Sequence, residues 1–128
     1  MLVYKTKVFD KDARKAGIKD KDLWKPIRKM EKGLFYADLG GGVHKEPVGA
    51  RGSHRVLIAF KPPLYVVMLI FAKSDQDNLT DAEVNALKSA ARDWLKLDGK
   101  GIQKALHEGR LIEVRHEKAK TKEDQRRD

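Results

Sequence analysis

Residues 52–73 leave this chain the least freedom. They hold two apolar runs, 56–60 and 64–71, separated by Lys61-Pro62-Pro63. β-Branched and aromatic residues fill both runs while consecutive prolines can donate no ladder hydrogen bonds, so the spacing predicts a β-hairpin that turns at the prolines. In the second run Leu64, Val66, Met68 and Ile70 alternate with Tyr65, Val67, Leu69 and Phe71. Neither face of such a strand tolerates water, which places it in the middle of a sheet. At the open end of the hairpin, antiparallel pairing brings Arg51, His54 and Arg55 beside Lys73.

With 128 residues, 41% of them hydrophobic, the chain has material for one core and not for two. We expect one domain over residues 1–115. Residues 116–128 carry no apolar period and read as a charged, disordered tail. The formal charge is +9, from 28 Lys and Arg against 19 Asp and Glu. An excess of that sign selects an acidic partner, with nucleic acid as the leading class. The absence of cysteine excludes disulfide and zinc-thiolate chemistry. The N-terminal residues are charged where a secretory signal needs an apolar run, and no stretch reaches membrane-spanning length without charge. The expectation is a cytoplasmic protein with no membrane contact.

Ahead of the hairpin, residues 2–8 favour an extended strand. Asp10 reads as the N-cap of a two-turn helix with Phe9, Ala13 and Ala16 on one face and Gly17 at its end. A second helix follows from about Asp22, stacks Leu23, Ile27 and Met30, and stops at Gly33. Pro26 is unstrained in it only near the first helical position. Gly40-Gly41-Gly42 lacks the Gly-Lys-Ser/Thr continuation of a phosphate loop and reads as a connection or a bulged strand edge. Residues 43–48 form the strand entering the hairpin, confined by Pro47 to an edge or bulge.

Beyond the hairpin, Thr80 and Glu83 make a capping box, flanked by Leu79 and Val84. Val84, Leu87, Ala91 and Trp94 supply the buried stripe of that helix. Ile102, Ala105 and Leu106 indicate a short helix before Gly109, and residues 111–114 have strand character.

Several of these stretches together resemble the RelE/HigB-type toxins of bacterial toxin-antitoxin systems, in the RelE/ParE superfamily. They are Glu31-Lys32-Gly33-Leu34, residues 38–45, the Arg55-led strand, Phe71-Ala72-Lys73 with Asp77-Asn78-Leu79-Thr80, and the ending at residues 111–114. Ser74 and Thr80 stand where relatives commonly hold a second arginine and an aromatic. The resemblance implies an α+β fold of the microbial-ribonuclease type: two N-terminal helices, an antiparallel sheet and a closing helix, here with a C-terminal extension. It also implies translation inhibition by ribosome-dependent cleavage of mRNA, an endoribonuclease activity restrained by a cognate antitoxin with a helix-turn-helix DNA-binding domain. On the same scaffold, ParE-like toxins act on a topoisomerase without cutting RNA. That reading, or a basic nucleic-acid-binding module without catalysis, is the alternative.

Metal-independent RNA cleavage needs a deprotonated 2′-hydroxyl, stabilised charge on phosphorus and a proton for the departing oxygen. Arg55 is the candidate phosphate clamp, because a planar guanidinium holds two phosphate oxygens at once. Arg51 and Lys73 supply further charge, and His54 has the intrinsic pKa for proton transfer. Lys45, His44 and Lys61 are the candidate substrate-binding residues. No cofactor and no metal enter this scheme.

Overall fold

The computed structural model describes residues 1–115, with the side chains of all of them except residues 76–78. The tail expected over residues 116–128 lies outside the described residues. The order of elements is β1 (Leu2–Thr6), α1 (Lys7–Ala16), α2 (Asp20–Glu31), β2 (Ala37–Gly40), β3 (Val43–Val48), β4 (His54–Lys61), β5 (Leu64–Ala72), α3 (Asp81–Leu95), α4 (Gly99–His107) and β6 (Leu111–Glu113). Short 3-10 segments occupy Ala50–Gly52 and Lys73–Asn78.

The strands form one six-stranded sheet in the order β2-β3-β4-β5-β1-β6. The hairpin β4–β5 lies inside it, and β5 has neighbours on both sides, as two apolar faces require. The sheet is mostly antiparallel; β1 inserts beside β5 in parallel register, with Val3 opposite Tyr65. Helices cover both faces. On one face α1 and α2 bury Phe9, Leu23, Trp24, Ile27 and Met30 against Val56, Ile58 and Val67. On the other, Ala91 of α3 and Ile102 and Ala105 of α4 pack on Leu57, Ala59, Val66 and Met68. The regular alternation expected along β5 breaks once. The β4–β5 register shifts between Leu57 and Ile58, and Met68 and Leu69 consequently both join the α3/α4 face while Ile70 turns to the α1/α2 face.

Local boundaries differ from the sequence expectation for identifiable reasons. Helix α1 starts earlier, because the Thr6 hydroxyl, not Asp10, accepts the Phe9 N–H at 3.1 Å and caps it. Helix α2 starts at Asp20, which leaves Pro26 in its interior. The carbonyl of Asp22 therefore has no N–H to accept four residues on. The capping box of α3 forms as expected between Thr80 and Glu83. Its stripe is only partly covered: Ala91 is fully buried, while Val84, Leu87 and Trp94 keep some exposure. The glycine run is the bulged turn between β2 and β3, where a Cβ on Gly42 would lie 2.9 Å from Leu95 of α3.

Candidate active site

Strand β3 outruns its edge partner. β2 pairs only with Val43, His44 and Lys45, so Glu46, Pro47 and Val48 have a neighbour on the β4 side alone. Pro47, which has no N–H to offer an outer strand, sits in that stretch. The chain then turns through Gly49, Arg51 and Gly52, all with positive φ (83°, 57° and 64°). At Gly49 a Cβ would come within 2.6 Å of the Ser53 hydroxyl and 3.0 Å of Ile18, so only glycine fits. Arg51 is the sole non-glycine with positive φ among the described residues, a conformation that costs about 1–2 kcal/mol and concentrates at functional sites.

Between this turn and α2 lies a cleft of 330 Å³, walled by Asp22, Lys25, Pro26 and Lys29 on one side and by Glu46 to Gly49, Arg51 and Gly52 on the other. Lys25 and Lys29, four residues apart on α2, point from one helix face. With Arg51 they line the same cleft as Glu46, a carboxylate that is 2% exposed. Burial pushes the Glu46 pKa above the ordinary carboxylate range, against the pull of the Tyr36 N–H and the Lys29 charge. The Tyr36 amide donates to Glu46 Oε2 at 2.9 Å.

The structure gathers Arg51, His54, Arg55 and Lys73 at the open end of the hairpin: His54 pairs with Ala72, and the Lys73 N–H donates to the Ser53 carbonyl at 3.0 Å. Their side chains have different fates. Arg55 turns inward, onto the Gly52 turn and Tyr36. It is 5% exposed, and its Nη1 donates to the carbonyls of Gly52 (2.8 Å) and His54 (3.2 Å) while Nη2 donates to the Tyr36 hydroxyl (3.4 Å). Its guanidinium lies over the Tyr36 ring, 5.2 Å from the centroid. His54 is half-buried, with Nδ1 2.9 Å from the Ser53 hydroxyl, behind the Gly49 wall of the cleft. Arg51 and Lys73 are exposed.

The three expected substrate-binding residues are dispersed. His44 is a packed core histidine, stacked on Phe35 at 4.7 Å and edge-on to Phe60 at 5.6 Å, and burial lowers its pKa against the opposing charge of Asp38. Lys45 alternates with Glu46 along β3 and therefore projects from the opposite sheet face. Lys61 ends β4 at the far turn, separated from His54 by the strand's full length, about 23 Å at 3.3 Å per residue.

Glu46, Lys25, Lys29 and Tyr36 did not stand out in the sequence. The one available signal was the phase of Glu46, which shares its side of β3 with Val48 in the core; a carboxylate in an apolar phase needs a reason. Arranged as they are, these residues offer a group able to take a proton and cations able to hold a phosphate along one cleft, with the exposed Tyr36 hydrogen-bonded through its N–H to the Glu46 wall.

Residues 1–114 match the family model described as the RelE toxin of RelE / RelB toxin-antitoxin systems. Neither a curated protein nor a solved structure matches the chain. Since the family match spans nearly all the described residues and the fold agrees with it, this chain belongs to the RelE toxin family.

Proposed function

We infer that this toxin inhibits translation by cutting mRNA on the ribosome, and that the α2–β3 cleft is where it cuts. The observation that carries the reading is Glu46: a buried carboxylate whose pKa burial raises, in a cleft that Lys25, Lys29 and Arg51 also line. Burying a carboxylate without an ion pair opposes folding, and such groups concentrate where proton transfer is needed. Glu46 takes the 2′-hydroxyl proton. The 2′-oxygen then attacks the adjacent phosphorus, the bond from phosphorus to the 5′-oxygen breaks, and a 2′,3′-cyclic phosphate and a 5′-hydroxyl result. Lys25, Lys29 and Arg51 stabilise the charge that accumulates on the phosphate oxygens, with Lys73 adding to the field at the rim. His54 is the candidate proton donor to the departing oxygen. Arg55 acts one step back, fixing the Gly52 turn and Tyr36.

A cognate antitoxin is the partner that the family implies. We assign to it an acidic segment that covers Arg51 and the lysines of the cleft. A helix-turn-helix domain in that antitoxin and a cytoplasmic location are parts of the same proposal.

The test uses ribosomes programmed with an mRNA carrying one 2′-deoxynucleotide at the observed cut position. The attacking hydroxyl is gone, so cleavage there stops while cleavage of the all-ribose message continues. Undiminished cleavage of the deoxy message contradicts this chemistry. Wild-type protein that poisons a topoisomerase and leaves mRNA intact would favour the ParE-like alternative.

A further inference from the structure

Residues 34–36, between α2 and β2, expose three consecutive large side chains: Leu34 at 61%, Phe35 at 43% and Tyr36 at 54%. Two of them are held in place rather than loose. Phe35 rests on His44, which packs on Phe60, and Phe60 stacks on Tyr65 at 4.7 Å. Tyr36 is fixed by two nearly buried ionisable groups. Its N–H donates to the Glu46 carboxylate at 2.9 Å, its hydroxyl accepts from Arg55 at 3.4 Å, and the Arg55 guanidinium covers one face of the ring. Glu46 and Arg55 are 2% and 5% exposed, and no salt bridge joins them to each other among the described residues. The fold thus buries two ionisable groups whose common neighbour is an exposed tyrosine.

Tyr36 is tied to the wall of the cationic cleft twice, by its N–H to Glu46 and, through its ring hydroxyl, by Arg55, which also donates to the Gly52 carbonyl. Single-stranded nucleic acid presents phosphates and flat bases within one nucleotide of each other, and proteins meet the bases with aromatic platforms beside basic grooves. We propose that Tyr36 is a base-stacking platform: a nucleobase of single-stranded RNA lies on the open face of the ring when its neighbouring phosphate is held by Lys25, Lys29 and Arg51. Arg55 is a positioning residue, which sets the plane of the ring by covering one face and bonding its hydroxyl. Because stacking tolerates every base, the platform selects unpaired RNA over duplex rather than one sequence over another. This rests on the cleft being the RNA site, and it adds which part of the nucleotide is read and by what.

The experiment is equilibrium binding of a fluorescently labelled, uncleavable 2′-O-methyl oligoribonucleotide, intact or with a single abasic position moved along it. Wild type, Tyr36→Phe and Tyr36→Ala are compared. Tyr36→Ala weakens binding of the intact oligonucleotide about 5- to 150-fold, while Tyr36→Phe, which keeps the ring, stays within a few-fold of wild type. At one abasic position wild type loses a similar factor, and Tyr36→Ala loses nothing further there. Equal binding by wild type and Tyr36→Ala overturns the platform, as do losses from the abasic site and the substitution that multiply. If wild type cuts ribosome-bound mRNA yet Tyr36→Ala binds the oligonucleotide unchanged, the nuclease reading survives and the platform does not. If wild type binds no oligonucleotide, the platform falls as well. An acidic peptide whose binding is lost in Tyr36→Ala, with RNA binding intact, would make the ring a protein contact and overturn the assignment to RNA.

Discussion

Glu46 concentrates the tension between stability and activity in a single residue. Its pKa is raised on folding, so the folded state holds its proton to higher pH than the unfolded chain does. Stability is therefore lost as pH rises from the ordinary carboxylate value through the folded one, and at neutral pH the buried charge works against the fold. Glu46→Gln keeps an oxygen for the Tyr36 N–H and removes the charge. Its melting temperature at pH 7.5 should exceed that of wild type, with the gain shrinking on acidification toward the ordinary carboxylate value. His44 gives the opposite slope. Its folded pKa is below the ordinary 6.5, so the unfolded chain takes up the proton first and stability falls as pH drops through that value. His44→Phe, in a site already lined by Phe35 and Phe60, should flatten the melting temperature between pH 7.5 and 5.5. Arg55→Ala leaves the carbonyls of Gly52 and His54 without their donor and should cost about 2–4 kcal/mol in urea unfolding. A variant as stable as wild type would deny Arg55 its place in the turn.

At the level of elements, the hairpin and the helices flanking it were legible because periodicity and capping are local. The two apolar faces of β5 required a central strand, and the Thr80–Glu83 box required a helix start. Burial along α3 was less legible, because partial coverage depends on how the helix lies across the sheet. Trp94 has the right phase yet keeps some exposure, whereas Leu57 on β4 has none. Leu57→Ala should therefore cost about 3–5 kcal/mol and Trp94→Ala only about 1–2 kcal/mol, as read by denaturant midpoints. The reverse order would place α3, not the strand, at the centre of that core. The site was legible at its strand end and not at its helix end. Arg51, His54, Arg55 and Lys73 meet because hairpin pairing forces them together. Nothing local predicts that Lys25 and Lys29, on the preceding helix, line a cleft with Glu46, or that Arg55 turns inward onto the Gly52 carbonyl.

The molecule as a whole carries a charge of +9, and the cleft gathers part of it along the wall that holds Glu46, the one buried carboxylate among the described residues. Binding to ribosomes should weaken steeply with salt, because lysine and arginine contacts release counterions from RNA phosphates. Lys25→Ala or Lys29→Ala should each reduce the slope of log affinity against log salt by about 0.7–0.9. The most direct measurement of the central claim separates binding from chemistry: single-turnover cleavage of ribosome-bound mRNA by wild type and Glu46→Gln, with ribosome affinity determined independently. A general base at Glu46 predicts a rate about 100-fold or more below wild type with affinity unchanged. A Glu46→Gln protein that cuts at the wild-type rate, or a wild type that binds ribosomes and never cuts, would contradict it.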